Sequence, residues 1–286
     1  MTKNTLLISS DFYTCQGEGL STGVPSYFVR LGLCNLHCGM SRAFTNQLTK
    51  DQSLADGEIF KGDLELEGKA TWTCDSTSQW LWRGEEKGFQ YLIDRWKEQD
   101  LWDDILNGDI HLIWTGGEPT IKGHQEAIVN FLNEFEQQSI KEFYGDSTSY
   151  SNNDFNIFNE IETNGTIVIE DSLFKLLHQI NCSPKLSNSG MTVKQRINPE
   201  AIKRIMEHSN YTFKFVISDE NDIIEIFRDF IEPFNIPLKN VVCMPGMDSR
   251  EQFHERTQFV LEMSKKYRFR GLTRLHISAW DKTLNV

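Results

Sequence analysis

Five short, β-rich apolar runs recur along this chain, at residues 26–31, 110–115, 157–162, 213–217 and 240–244, and helical patterns lie between several of them. Phe89, Leu92, Ile93 and Trp96 fall at helical spacing, as do Ile128, Phe131, Leu132 and Phe135. Glu225, Phe227 and Phe230 belong to another such pattern, and Phe259, Val260 and Met263 to the last. Alternation of strand and helix predicts an α/β fold in which a parallel sheet is covered by helices. In barrels built this way the sites gather at the C-terminal strand ends. Thr115, Glu162 and Met244 all end predicted strands. The chain of 286 residues is long enough for one large domain with its own core.

The first of these runs leads directly into cysteines. Leu33-Cys34-Asn35-Leu36-His37-Cys38 holds a Cys-x3-Cys spacing, and a compact iron–sulfur loop would carry a third Cys at position 41, where the chain has Ser41. The next Cys stands in Trp72-Thr73-Cys74-Asp75-Ser76, after 35 intervening residues, 39 to 73. Three thiolates would hold a [4Fe–4S] cluster and leave one iron open. Read on spacing alone, buried thiols or a zinc site explain Cys34 and Cys38 equally well.

Thr115-Gly116-Gly117-Glu118-Pro119 follows the apolar run Ile110 to Trp114. Two glycines at a strand end let backbone approach a ligand closely, and Glu118 offers an acceptor to an ammonium group. The same residues also suit a plain strand-to-helix turn, with Pro119 opening a helix. Other segments join them: Gln16-Gly17-Glu18-Gly19, Gly23-Val24-Pro25-Ser26-Tyr27-Phe28-Val29-Arg30-Leu31, Glu162-Thr163-Asn164-Gly165-Thr166, Cys182-Ser183-Pro184-Lys185, Lys214-Phe215-Val216 and Leu275-His276-Ile277-Ser278-Ala279-Trp280.

In this order, nearly end to end, the segments resemble the 7-carboxy-7-deazaguanine synthase family, radical S-adenosylmethionine (SAM) enzymes of the queuosine and 7-deazapurine pathway. The resemblance implies an incomplete, modified TIM-like (β/α) barrel. It also implies that Cys34, Cys38 and Cys74 are the cluster ligands and that residues 39 to 70 are a polar insertion in the cluster loop. Ser76 stands where the family has a Thr that binds Mg²⁺, an ion that takes oxygen ligands. Cys15, Gln16, Gly17, Glu18, Arg30, Thr115, His276 and the terminal carboxylate of Val286 are implied to face the substrate. Thr73, Asp75, Gly117, Glu118, Glu162, Thr163, Ser183 and Lys185 are implied to surround SAM. Chemistry suits two of these roles independently. A carboxylate such as Glu18 accepts two N–H bonds from an aminopyrimidine, and the planar fork of Arg30 matches a carboxylate. Glu18 as a turn residue and Arg30 as a strand ion pair are the bland alternatives; for His276 that alternative is a core histidine.

The implied reaction is a ring contraction. An adenosyl radical takes hydrogen from C6 of 6-carboxy-5,6,7,8-tetrahydropterin, the ring rearranges with help from Mg²⁺, and hydrogen returns as ammonia leaves. The product is 7-carboxy-7-deazaguanine, and SAM is regenerated. A flavodoxin-like electron donor and a homodimer are further expectations from the family.

Composition narrows the alternatives. The formal net charge of −12, with no dense Lys/Arg stripe, disfavours direct contact with nucleic acid. No run approaches the about 20 apolar residues that span a bilayer, and the N-terminus has no signal-peptide pattern. Six Cys in such a chain suggest reduced thiols and a cytoplasmic setting. Cys182 and Cys243 read as buried strand-end thiols. Residues 39–70 and 139–156 read as long polar loops outside a compact barrel. Two other functions remain open: another radical SAM enzyme, such as an activase for anaerobic ribonucleotide reductase, or a zinc-binding interaction module built on Cys34, His37, Cys38 and Cys74.

Overall fold

The computed structural model describes residues 4–41, 43, 45–46, 66, 68–72, 74, 77, 81, 84–145, 155–246, 250–281 and 283. The strands are β1 (Thr5–Cys15), β2 (Pro25–Leu31), β3 (Glu85–Gly88), β4 (His111–Gly116), β5 (Asn159–Thr163), β6 (Gln179–Cys182), β7 (Tyr211–Ile217), β8 (Val241–Pro245) and β9 (Arg270–Gly271). They form one sheet in the order β3-β1-β2-β4-β5-β6-β7-β8-β9. From β2 to β9 every neighbouring pair is parallel, whereas β1 runs antiparallel to both β2 and β3. Among the described residues no hydrogen-bonded pair joins β3 to β9, so the sheet is an open barrel. This is the incomplete TIM-like barrel that the sequence implies.

The five apolar runs correspond to β2, β4, β5, β7 and β8. Four strands have a weaker signature. β1 is bulged between Ile8 and Ser10, β3 reads Glu-Glu-Lys-Gly, β6 has four residues, and β9 has two. The principal helices are α1 (Gln90–Glu98), α2 (Trp102–Asn107), α3 (Lys122–Tyr144), α4 (Pro199–Met206), α5 (Glu220–Ile226), α6 (Phe253–Tyr267) and α7 (Leu275–Trp280). The pattern around Phe227 and Phe230 continues α5 as a π turn, Phe227–Ile231. Residues 139–144, read from sequence as the start of a polar loop, are the last turns of α3. Exposed Lys, Glu and Tyr at a helix end leave no apolar period to detect. Residues 146–154 lie outside the described residues, as do 47–65 within the 39–70 insertion.

Strand alternation separates two environments. Leu112 and Trp114, Ile161, Ile180 and Cys182, Phe213 and Phe215, and Val241 and Cys243 point to the helix side and join the core. There Trp96 of α1 meets Tyr27, Phe131 and Phe135 edge-on, at centroid distances of 5.6, 5.7 and 5.1 Å. The intervening residues face the barrel lumen: Arg30 and Thr115, Glu160 and Glu162, Gln179 and Asn181, Thr212 and Lys214. A packed TIM barrel fills its interior with branched apolar side chains. Here buried polar and charged groups share the lumen with Phe28, Ile113, Val242 and Met244, so part of the interior is open to a polar ligand's chemistry.

The turn at the C-terminal end of β5 is tightly packed. Gly165 turns the chain after β5 at φ +72°, and a Cβ there would lie 2.4 Å from the Cys182 sulfur. Gly165→Ala combines a left-handed backbone penalty with overpacking and is expected to cost about 3 kcal/mol. Denaturant unfolding should show a smaller cost of the same change in a Cys182→Ala background. Equal costs in both backgrounds would refute the contact as the cause.

Candidate functional site

The cluster loop begins where β2 ends. Leu33 adopts φ 69°, an uncommon value for a branched side chain, immediately before Cys34. Gly116 and Gly117, at the end of β4, lie directly against this loop. A Cβ on Gly116 would fall 2.3 Å from Leu31 N and O, and one on Gly117 only 1.8 Å from Leu33 O. The same approach allows Gly117 N–H to donate to Leu31 O at 2.9 Å and Glu118 N–H to donate to Leu33 O at 2.8 Å. The paired glycines therefore serve first to seat the cysteine loop.

The residues between Cys38 and Cys74 return to their starting point. Cys74 N–H donates to Cys38 O at 3.2 Å. Met40 and Leu66 form an antiparallel bridge. Gly39 N–H and Thr71 N–H donate to Ser189 O and Asn188 O at 2.8 and 2.9 Å. Cys34, Cys38 and Cys74 consequently share an apolar pocket with Leu36, Trp72 and Met191. Ser41, at the compact-motif position, uses its carbonyl to cap Thr45 N–H at 2.9 Å. Burial, with Glu118 and Cys38 nearby, pushes the Cys34 thiol up to about 12; ligation by metal would displace its proton. Among the described residues no three His, Cys, Asp or Glu side chains converge on one ion. A cubane asks for something else: separate thiolates, each on its own iron, in a pocket of controlled polarity. Three cysteines around one apolar pocket fit that demand.

Beside this pocket Glu118 is fully buried. Its Oε1 accepts from Thr120 N–H at 3.0 Å, Thr120 Oγ1 at 2.5 Å and Thr163 Oγ1 at 2.7 Å, and its Oε2 from Asn164 N–H at 2.7 Å. Burial raises its pKa, and these hydrogen bonds only partly offset that. These four donors are neutral, so the carboxylate suits a cationic ligand. Asn35 in the cysteine loop ties to the same turn: its Nδ2 donates to Thr166 Oγ1 at 2.8 Å, and its Oδ1 accepts from Asn164 Nδ2 at 2.9 Å. A cleft lined by Trp72, Ser183, Pro184, Lys185, Leu186, Asn188 and Val216 opens next to the cysteines, and Lys185 Nζ donates to Ser183 Oγ at 3.4 Å. A larger cleft, about 320 Å³, lies along α3 at Asn4, Phe89, Asn130, Asn133, Glu134 and Gln137 and contains none of these groups.

A second constellation occupies the lumen. Buried Lys214 donates to Glu162 Oε2 at 2.5 Å and Glu18 Oε2 at 3.3 Å. Gln16 Nε2 donates to Glu162 Oε1 at 3.1 Å, and Gln16 Oε1 accepts from Glu18 N–H at 3.2 Å. Arg274 Nε donates to Glu18 Oε1 at 2.8 Å. Burial opposes ionisation of Glu18, but Arg274, Lys214 and His276 outweigh it and hold the carboxyl well below the usual range. Burial also dominates at Glu162 and pushes it up to about 7 despite Lys214. His276 packs on Gly17, where a Cβ would meet its Nδ1 at 2.3 Å. Arg30 lies over the Phe12 ring at 4.6 Å.

The residues singled out in sequence thus fall into two neighbouring groups. Cys34, Cys38, Cys74, Gly117, Glu118, Thr163, Ser183 and Lys185 belong with the cysteine pocket. Gln16, Gly17, Glu18 and His276 line the lumen constellation, with Arg30 and Thr115 on the same face of the sheet, paired in register. Cys15 ends β1 beside this group. Glu162 was expected around SAM; its side chain bonds Gln16 and Lys214 in the lumen. Thr73, Asp75, Ser76 and Val286 lie outside the described residues. Sequence reading missed Lys214 and Arg274 as site residues. Lys214 carried one signal, a lone cation inside an apolar strand; Arg274 carried none.

No family model matches the chain. It is 26% identical over 270 residues to the 7-carboxy-7-deazaguanine synthase of Pyrobaculum aerophilum, across 94% of this chain and 92% of that one. It is 25% identical over 297 residues to the synthase of Halobacterium salinarum, across 96% and 91%. Among solved structures, QueE from Escherichia coli matches with a TM-score of 0.52 at 18% identity, across 95% of each chain. The resemblance to 7-carboxy-7-deazaguanine synthases therefore runs nearly end to end in sequence, and the QueE structure shares the fold.

The Glu162 carboxyl makes a pH prediction. Its folded value of about 7 exceeds its ordinary 4.5, so the folded protein keeps a proton that the unfolded chain has lost. Its contribution to stability therefore falls as pH rises through that window and is constant above it. Melting temperatures of the native chain relative to Glu162→Gln should decline between about pH 5 and pH 7, then level off. A pH-independent difference would show that Glu162 titrates normally.

Proposed function

We propose that this chain is a radical SAM enzyme, a carbon–nitrogen lyase that contracts 6-carboxy-5,6,7,8-tetrahydropterin to 7-carboxy-7-deazaguanine with loss of ammonia. The observation that carries this reading is the return of Cys74 to Cys38, which makes a three-thiolate set from a split motif. The end-to-end likeness to the curated synthases supports the same assignment. The reaction is balanced without an oxidant, since substrate and product differ only by ammonia.

Cys34, Cys38 and Cys74 are the residues that would hold a [4Fe–4S] cluster. When bound and reduced, the cluster and SAM supply the radical that begins the reaction. Glu118 supplies the carboxylate near the SAM amino group. Ser183 and Lys185 line the cleft that receives the remainder of SAM, and Gly117, Thr163, Thr73 and Asp75 are assigned to SAM with them. Gln16, Gly17 and Glu18 receive the aminopyrimidine edge of the pterin. Glu18 is suited to this because each of its oxygens keeps acceptor capacity after bonding Lys214 and Arg274, enough for the two N–H groups of a 2-aminopyrimidine. Arg30 takes the substrate carboxylate, and Cys15, Thr115, His276 and the Val286 terminus are assigned to the substrate with it. Ser76 contributes a hydroxyl to Mg²⁺. Burial of the lumen excludes water and fixes the substrate relative to SAM.

The chain works as a single domain, 1–286, and as a homodimer, with a flavodoxin-like protein as external electron donor. Among the described residues no helix is long and apolar enough to cross a membrane, and we place the enzyme in the cytoplasm. Within the polar insertion at 39–70, Met40 and Leu66 form an antiparallel bridge.

Anaerobic iron and sulfide analysis tests the ligand set. The native chain and Ser41→Ala should each carry about four irons and four sulfides, and Cys74→Ala should lose the cluster's stable absorbance. Zinc in place of a reconstitutable cluster, or a cluster indifferent to Cys74, would favour the zinc-module reading.

A further inference from the structure

The lumen contains a closed ring that the roles above do not require. Lys214 on β7 bonds the side chains of Glu162 and Glu18. Glu162 on β5 accepts from the Gln16 amide, and the Gln16 carbonyl oxygen accepts from Glu18 N–H. The ring thus joins two barrel strands to the turn after β1. Its members are not interchangeable. With Nε2 committed to Glu162, Gln16 must present Oε1 to Glu18 N–H, so the amide has one orientation. Glu18 is pulled from opposite sides by Lys214 and Arg274, and its carboxylate plane is set between them. Gly19 passes close by: a Cβ there would meet Lys214 Cδ at 3.2 Å and Asn181 Oδ1 at 3.4 Å.

Charge gives the ring its sensitivity. Two carboxylates, Glu18 and Glu162, sit in one buried chamber with Glu160 further along β5. Lys214 and Arg274 face them, with His276 beyond Gly17. Removing one cation leaves like charges in low dielectric, and one carboxylate must then take up a proton. A protonated Glu162 no longer accepts equally at both oxygens, which releases the Gln16 amide. Lysine suits the position because its three donors can span two carboxylates from one point.

We infer that Lys214 is a positioning residue of the pterin pocket: it aligns Glu18 and Gln16 for the substrate's aminopyrimidine edge without itself entering the reaction. The inference rests on the function proposed above and names a residue through which that pocket's specificity is held.

Cluster-loaded enzyme with SAM provides the test, using native chain, Lys214→Met, Lys214→Arg and Glu162→Gln. Lys214→Met should keep iron content and SAM affinity, raise the KM for the pterin about 30-fold with a smaller change in kcat, and shift the acid limb of kcat/KM to higher pH. Lys214→Arg should recover most of the KM and return the limb toward its native position. If Lys214→Met does not fold, Glu162→Gln carries the test: its KM should rise and its acid limb should vanish. Unchanged KM and an unmoved acid limb in these variants, with native turnover intact, would overturn the role of Lys214. A native enzyme that binds its cluster and SAM but leaves the pterin unchanged would instead overturn the proposed function.

Discussion

The close approach of β4 to the loop after β2 is the constraint on which the site depends. Gly116 and Gly117 have no side chains because Leu31 to Cys34 occupy that space. One contact therefore places the first cysteine, the buried Glu118 and the turn after β5 within a single hydrogen-bonded unit. Asn35, Asn164 and Thr166 complete it from the other side. The long excursion after Cys38 is tolerated because both of its ends are fixed to this unit and to the 3₁₀ turn at Ser187–Ser189. Extending a loop between fixed ends adds only a slowly growing entropic cost.

The second constraint is the polarity of the barrel interior. The outer faces of the strands carry the apolar core, so the sheet is held by the aromatic cluster around Trp96, Phe131 and Phe135. The lumen packs fewer apolar side chains, Ile113, Val242 and Met244 among them. Glu18, Glu162, Lys214 and Arg274 are retained there as paired charges. Breaking such a buried set is costly, whereas the set itself adds little stability. Its value lies in pre-aligned donors and acceptors at the C-terminal end of the barrel, next to the cysteine pocket. The two groups share β5: Glu162 points into the lumen, and the next residue, Thr163, bonds Glu118.

Much of this organisation was legible in the sequence. Strands β2, β4, β5, β7 and β8 announced themselves because both of their faces are buried, so apolar and β-branched residues cluster there even where a lumen-facing polar residue interrupts the run. The cysteine loop, the GGEP turn and the QGEG turn were readable because their chemistry demands particular residues at fixed spacing. Strands β3, β6 and β9 were not, since two to four residues at a sheet edge or between polar neighbours leave no period. The end of α3 was hidden by its solvated composition. The lumen ring was also hidden, because nothing in sequence relates Lys214 to Glu18, which lies 196 positions away. Only the closure of the barrel brings them together. Cys182 and Cys243 are buried thiols as the sequence suggested, Cys182 at the end of β6 and Cys243 in the middle of β8 rather than at its end.

The central claim is that the split cysteine motif and the polar lumen form one ring-contracting enzyme. The most direct test is to supply the reconstituted, reduced protein with SAM and 6-carboxy-5,6,7,8-tetrahydropterin and to follow products by mass and ammonia release. The account predicts 7-carboxy-7-deazaguanine and ammonia in equal amounts, over many turnovers, with SAM not consumed in proportion. Steady conversion of SAM to 5′-deoxyadenosine with the pterin left intact would contradict it and point to a different radical SAM reaction.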